Sequence, residues 1–278
     1  MPKHLVVIGA GAAGLPVASQ VRRKNKEIEI TVITDREYFA YSPCGIPFVI
    51  SGMINSFETL ILRDMKYYEE MNIKILNKTT VDKIDLDNHE IFFDDEKLKY
   101  DILVIASGAK PIMPPVPGID LDGVYFLNSL EDALKISNSL KNTKSPTIIG
   151  AGAIGLEMAH AFLKKGLKSR IIEMKDRVLP NMLDKDMSNI VEDYLSPLNM
   201  KIHTSTIASS ILGEKKVSHV KANGNEFETD LVLVSVGVRP NVELAKNAGI
   251  ETGSTGGIVT DASLRVKRKG KFVKNAYA

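Results

Sequence analysis

The sequence predicts an α/β fold of two doubly wound units, the second inserted in the first, and three observations carry that prediction. A Gly-x-Gly-x-x-Gly run follows a short apolar stretch at Gly9-Ala10-Gly11-Ala12-Ala13-Gly14, and again at Gly150-Ala151-Gly152-Ala153-Ile154-Gly155. The two runs stand 141 residues apart (150 − 9 = 141), and a second pair recurs with an offset of 129 (230 − 101 = 129): Asp101-Ile102-Leu103-Val104-Ile105-Ala106-Ser107-Gly108 and Asp230-Leu231-Val232-Leu233-Val234-Ser235-Val236-Gly237. Between these landmarks lie continuous β-branched runs, the pattern of strands buried on both faces of a parallel sheet.

The elements follow in order. Residues 5–8 read as a strand, a glycine turn follows, and residues 12–24 carry a helical pattern. Residues 28–33 form a second buried strand, and a helix is expected through residues 46–50, just after Pro43 and Cys44. Residues 102–105 close the first unit's opening half. The run from Pro111 to Pro117 holds Pro114 and Pro115 and is followed by Gly118, so it continues neither helix nor strand and reads as a linker. The second unit repeats the plan: a strand at 147–149, a helix at 153–165 with Gly166 as its C-cap, a strand at 170–172 and a closing strand at 231–234. The expected division is residues 1–113 with 240–278 for the first unit, whose sheet the return segment completes, and 114–239 for the second.

Composition narrows the function. The 278 residues suffice for two cores, 44% are hydrophobic and 25% charged, and 36 basic against 34 acidic residues leave a net charge of +2. That balance gives no electrostatic footprint for nucleic acid. Residues 4–21 carry no charge, but Gly9, Gly11, Gly14 and Pro16 break them into strand, turn and helix, so no membrane segment is expected. A single cysteine, Cys44, forms no intrachain disulfide and suits a reducing compartment, so a cytoplasmic location is expected. The five histidines show no metal-ligand spacing, and no metal site is expected.

The glycines carry a definite chemistry. In each run the first makes the tight turn, the second lets the backbone approach a pyrophosphate, and the third lets helix pack on strand. The free N–H groups at the helix start, including those around Ala12, Ala13, Ala153 and Ile154, then face the phosphate charge. Two Rossmann-like units thus predict two dinucleotides. The acid that reads the adenosine ribose is expected at the end of the next strand. Glu173 stands there in the second unit and favours NADH over NADPH, because a carboxylate accepts from the 2′-hydroxyl and repels a 2′-phosphate. In the first unit the strand ends in Thr34 and Asp35, so the acid comes one place late.

These residues, with Tyr41-Ser42-Pro43-Cys44-Gly45-Ile46-Pro47-Phe48 and Gly237-Val238-Arg239-Pro240-Asn241, resemble the FAD-dependent pyridine nucleotide–disulfide oxidoreductases. Within that family they are most similar to the one-cysteine branch of NADH oxidases and coenzyme A disulfide reductases. The resemblance implies FAD on the first unit, with Val81 beside its adenine and Ala106, Ser107 and Gly108 in its cradle. It implies NADH, or NADPH, on the second, with Glu157 near the nicotinamide, and counts Gly237 among the cofactor-binding residues. Gln20, Arg22 and Arg23 resemble the basic patch that holds the nucleotide end of coenzyme A, and Ser42, beside the cysteine, joins Gln20 and Arg23 as an expected substrate-binding residue. Ala40 and Pro43 depart from the hydrogen-bonding residues of the coenzyme A reductases.

Cys44 is the expected catalytic residue. A thiol does redox chemistry as its thiolate, which a following helix N-terminus favours. A second cysteine five places on would make a dithiol, but Val49 stands there. Two chemistries stay open: a mixed disulfide with a small thiol such as coenzyme A, or a sulfenic acid cycle on oxygen or peroxide. A ferredoxin or rubredoxin reductase, which needs no cysteine, is the rival within the fold. Family members close the flavin site with a strand of the form Asn-x-Tyr-Ala-x-Gly-Asp, whereas the last residues here are Asn275-Ala276-Tyr277-Ala278. The resemblance therefore implies a chain without the family's C-terminal dimerisation domain: weakened FAD binding, impaired turnover and no family-type homodimer are expected.

Overall fold

The computed structural model describes residues 2–198 and 200–278. In chain order the opening elements are β1 (His4–Ile8), α1 (Gly14–Lys24), β2 (Glu29–Ile33), α2 (Ile46–Ser51), α3 (Met65–Glu70) and β3 (Lys74–Leu76). Then come β4 (Lys83–Asp85), β5 (Glu90–Phe93), β6 (Glu96–Lys99), β7 (Ile102–Ile105) and β8 (Ala109–Pro111). The middle of the chain holds β9 (Val124–Phe126), α4 (Leu130–Leu140), β10 (Pro146–Ile149), α5 (Ala153–Lys164), β11 (Arg170–Ile172), α6 (Lys185–Leu195) and β12 (Lys201–His203). It closes with β13 (Ala208–Gly213), β14 (Val217–Ala222), β15 (Asn225–Glu228), β16 (Leu231–Val234), β17 (Val238–Pro240), α7 (Glu243–Asn247), β18 (Arg265–Arg268) and β19 (Lys271–Tyr277).

Two compact units result. One comprises residues 1–42, 61–110 and 239–278; the other comprises 43–60 and 111–238. The first contains a six-stranded sheet ordered β18-β19-β7-β1-β2-β3, in which β19, β7, β1, β2 and β3 run parallel and β18 pairs antiparallel with β19. The second contains a five-stranded parallel sheet ordered β12-β11-β10-β16-β9. Strands β3-β2-β1-β7 match β12-β11-β10-β16 in order, and each set is interrupted before its closing strand by a three-stranded antiparallel sheet, β4-β5-β6 or β13-β14-β15. The sequence repeat is therefore a repeat of topology.

The strands form where apolar side chains cover both faces of the sheet. In the first unit Leu5, Val7, Ile30 and Val32 pack with Leu15 and Ala18 of α1 on one face, while Val6, Ile8, Ile33 and Leu103 join Ile84, Ile91 and Phe93 on the other. In the second unit Ile149, Ile172, Val232 and Val234 pack against Ile211, Val217 and Val220 of the antiparallel sheet. Among the described residues no helix is long and apolar enough to cross a membrane.

Some boundaries differ from the sequence reading. Helix α1 begins at Gly14, two residues later than expected, after an exposed turn through Gly11, Ala12 and Ala13. Helix α5 ends as expected: Gly166 takes φ +80°, its N–H donates to the Leu163 carbonyl, and Leu167 donates to that of Phe162. Residues 43–60, expected in the first unit, group with the second. The reason is packing, since α2 lies against α5 and α4 and buries Ile46, Val49 and Ile50.

Candidate functional site

Each glycine turn is held by the same bonds. Gly9 takes φ +108° and donates to the Ile33 carbonyl at 2.7 Å; Gly150 takes φ +109° and donates to that of Ile172 at 2.8 Å. Ala106 donates to the Ile8 carbonyl as Ser235 donates to that of Ile149, both at 2.8 Å. A Cβ on Gly9 or Gly150 would run into the carbonyl of Ala106 or Ser235, and one on Gly14 or Gly155 into the carbonyl of Gly9 or Gly150. At Gly11 and Gly152 a Cβ would meet nothing within 4 Å. The outer two glycines of each run are thus needed by the protein's own packing, and the middle one borders open space where a phosphate has room to approach.

The helices behind these turns leave their N-termini free. Helix α3 is capped by Asp64, which accepts from the Tyr67 N–H, and α4 by Ser129, which accepts from that of Asp132. Helices α1 and α5, like the short α2, have no side-chain cap and no acidic residue in the first turn. The positive dipole ends of α1 and α5 suit an anion supplied from outside the fold, although in α1 Leu15 N already donates to the Gly11 carbonyl at 3.3 Å and Pro16 has no N–H to offer. The cradle formed by Gly9 to Gly14 fits the pyrophosphate of a dinucleotide, and so does that formed by Gly150 to Gly155.

At the ribose end the two units diverge. Glu173 is 8% exposed, and its carboxylate bridges two amides, accepting from Ala151 N at 2.7 Å and from Lys175 N at 2.8 Å. Thr34, 6% exposed, accepts from Arg36 N at 3.3 Å. The backbone makes these two positions equivalent. Thr34 donates to Leu76 as Glu173 donates to His203, and Thr79 donates to Thr34 as Thr206 donates to Glu173, all four at 2.9 Å. Asp35 lies outside this register, exposed and 3.7 Å from the Arg36 guanidinium.

The remaining candidates fall into three groups. In the first unit Ser107 is fixed by its Oγ, which donates to the Asn241 carbonyl at 2.6 Å, with Gly108 at φ +67° beside it. Val81 lies in the connection between β3 and β4, half-buried against the core. In the second unit Glu157 is exposed on α5, and Gly237, at φ +112°, accepts from Ile112 N at 3.0 Å.

The third group surrounds the expected substrate patch. Gln20 and Arg23 are exposed, one turn apart on α1, but Arg22 is buried and does not belong to the patch. Its guanidinium donates to the carbonyls of Asn25, Lys26 and Asn72, tying the end of α1 to the turn before β3. The structure adds two residues that the sequence reading missed. The Arg63 guanidinium lies 5.0 Å above the Tyr67 ring, and hydrogen bonds from Arg63 first and Arg23 second hold the Tyr67 phenol below its ordinary pKa. Arg23, Arg63 and Tyr67 form a cationic, hydrogen-bonding surface that no local sequence pattern announces.

Cys44 sits exposed in a single 3-10 turn, Pro43–Gly45, that runs directly into α2. Helix α2 has six residues and starts on Ile46 and Pro47, a combination that suits the first helical turn. Ser42 is half-buried immediately before this turn.

Two glycine cradles, two uncapped helices and two matched sheets define a protein built to hold two dinucleotides. Comparison with known proteins makes the class specific. The family model for pyridine nucleotide-disulphide oxidoreductases matches residues 3–273, so the chain belongs to that family of oxidoreductase enzymes, which work with FAD and NADH or NADPH. An NADH oxidase of Methanocaldococcus jannaschii is 43% identical over 256 residues, 89% of this chain and 57% of that protein. A CoA-dependent NAD(P)H sulfur oxidoreductase of Pyrococcus furiosus is 35% identical, over 99% of this chain and 62% of that protein. The solved structure of an NAD-dependent persulfide reductase from A. fulgidus superposes with a TM-score of 0.93 at 36% identity, covering 99% of this chain and 52% of that one. The chain therefore spans about three fifths of the length of these curated relatives.

Proposed function

We propose that this chain carries the two nucleotide units of a flavin-dependent NAD(P)H oxidoreductase, with FAD on the unit of Gly9–Gly14 and NADH on the unit of Gly150–Gly155. The observation that carries the reading is the duplicated cradle, each copy followed by a helix that leaves its N-terminus uncapped. Gly9, Gly11, Ala12, Ala13 and Gly14 lie along the FAD pyrophosphate, with Val81, Ala106, Ser107 and Gly108 around the rest of that cofactor. Gly150, Gly152, Ala153, Ile154 and Gly155 lie along the NADH pyrophosphate; Glu173 reads its ribose, and Glu157 and Gly237 border its nicotinamide side. The buried Glu173 carboxylate favours NADH over NADPH.

Cys44 is the redox residue in this reading, and the acceptor is a small disulfide or persulfide of an anionic thiol such as coenzyme A. The exposed thiol supports this, as does the surface of Arg23, Arg63 and Tyr67, whose two guanidiniums suit phosphate groups. The Cys44 thiolate attacks one sulfur of the disulfide, forms a mixed disulfide and expels one thiolate. When bound, FAD and NADH supply the electron pair that cleaves the mixed disulfide, frees the second thiol and restores Cys44. The balance is NADH, one proton and one disulfide giving NAD and two thiols. Oxygen and peroxide are the alternative acceptors, supported by the likeness to an NADH oxidase.

The test is reconstitution of the purified chain with FAD, followed by titration with NADH and by turnover with coenzyme A disulfide. Bleaching of the flavin band by NADH and loss of disulfide turnover in Cys44→Ser are expected. Unchanged disulfide turnover in that variant would overturn the role of Cys44, and a chain that takes up no FAD would overturn the first-unit assignment.

A further inference from the structure

The two units bind their own backbones in the same way and differ at one chemically decisive place. Position 34 in the first unit and position 173 in the second occupy one node of the fold. Each follows the strand whose last carbonyl accepts from the first glycine, each donates to the neighbouring strand, and each accepts from a threonine on the next connection. The flanking bonds match as well: Lys78 N donates to Arg36 O, and Ser205 N donates to Lys175 O. Lys78 and Ser205 even share the left-handed region, at φ 54° and 48°.

On this common frame Glu173 places one carboxylate oxygen on the amide of Ala151, inside the glycine turn, and the other on the amide of Lys175. Thr34 keeps only the second of these bonds, to Arg36 N at 3.3 Å. A threonine hydroxyl is one oxygen on Cβ and cannot span both amides, so Thr34 brings no carboxylate to the Ala10 end of the first turn. Asp35, the nearest acid in sequence, is one residue out of register and faces Arg36. Successive side chains after a strand point in different directions, so a one-residue displacement is not a conservative shift.

We infer that residue 34 sets the ribose specificity of the first nucleotide site, and that Thr34 leaves this site without charge selection at the 2′ position, which is confined to Glu173 in the second unit. The inference rests on the assignment of FAD to the first unit. A neutral hydroxyl neither grips the ribose as strongly as a carboxylate nor repels a phosphate on it. The first site therefore holds its dinucleotide mainly through the glycine cradle and the α1 N-terminus, and it tolerates a 2′-phosphate.

The experiment measures binding and needs no turnover. FAD is bound to the wild-type chain and displaced with ADP or with ADP carrying a 2′-phosphate, using recovery of flavin fluorescence to report the first site. The two displacers are expected to act at concentrations within about threefold of each other. In Thr34→Glu, FAD is expected to bind about tenfold more tightly and the 2′-phosphate form to fall at least tenfold behind ADP. In Asp35→Asn, FAD affinity is expected to stay within twofold. Tenfold preference for ADP in the wild-type chain overturns the inference, whether or not Thr34→Glu folds; so does a tenfold loss of FAD affinity in Asp35→Asn. If the wild-type chain takes up no FAD, the first-unit assignment fails and the inference with it, a result distinct from FAD that binds and discriminates.

Discussion

At the scale of single residues, Glu173 joins structure to recognition. Its carboxylate is nearly buried yet satisfied by two amides, and each bond to a charged acceptor is worth about 1.5–3 kcal/mol when its loss leaves a donor unpaired. Glu173→Ala is expected to loosen the second glycine turn and weaken NADH binding by about 2 kcal/mol, roughly thirtyfold, while narrowing the gap between NADH and NADPH. Isothermal titration with both nucleotides checks this, and a gap that stays unchanged excludes Glu173 as the discriminating group. His203 gives a second residue-scale prediction. Its ring lies 5.1 Å from that of Phe227, whose other neighbour is the Arg170 guanidinium at 4.4 Å. Burial first, then the charges of Arg170 and Lys201, push the His203 pKa below its ordinary value. The neutral ring is the form that the fold favours. Its contribution to stability is complete above the unfolded-state value of about 6.5 and is lost as pH falls from there through the folded value. Thermal melts of the wild-type chain should thus drop on acidification below that point, and His203→Phe should flatten the drop.

At the scale of elements, helix α1 separates side chains that look alike in sequence. Gln20, Arg22 and Arg23 read as one basic patch, but neighbouring residues on a helix point about 100° apart, and only the structure fixes which direction faces the protein. Arg22 turns inward and closes three carbonyls at the helix end and the following turn, whereas Arg23 turns outward to Tyr67. Arg22→Ala is expected to cost about 3 kcal/mol of stability, because it leaves those carbonyls without their charged donor, and Arg23→Ala less than about 0.5 kcal/mol. Urea denaturation of the two variants checks the contrast, and equal losses would refute it. The strands and glycine turns were legible because a both-sides-buried strand and a turn with no room for Cβ leave composition no freedom. The equivalence of Thr34 and Glu173 was not legible by counting. The spacing from the first glycine is 25 residues in one unit and 23 in the other (34 − 9 = 25; 173 − 150 = 23), so only the ends of the two strands align the positions, and the backbone bonds fix the register. Arg63 was hidden for another reason: it lies on a loop far along the chain from Arg23, and only folding brings both to Tyr67.

At the scale of the whole molecule, a duplicated plan in one chain raises the question of whether the two nucleotide sites are independent. Each cradle is closed by its own unit: Gly9 is held by Ile33 and faces Ala106, while Gly150 is held by Ile172 and faces Ser235. No residue of one cradle is shared with the other, and damage to one turn has a local cause, the collision of a new Cβ with a backbone carbonyl that cannot swing aside. Gly14→Val drives a branched side chain toward the Gly9 carbonyl and Val7, and Gly155→Val drives one toward the Gly150 carbonyl. With one glycine turn displaced by even part of an ångström, the amides that face the pyrophosphate lose their alignment, at a cost of about 2–3 kcal/mol of binding free energy. Gly14→Val is therefore expected to weaken FAD about a hundredfold and to leave NADH affinity within about threefold; Gly155→Val should do the reverse. Fluorescence titration of both ligands against both variants measures the four affinities. A crossed effect, in which either substitution lowers both affinities by the same factor, would mean that the two cradles act as one site, and would refute the independence that the duplicated architecture implies.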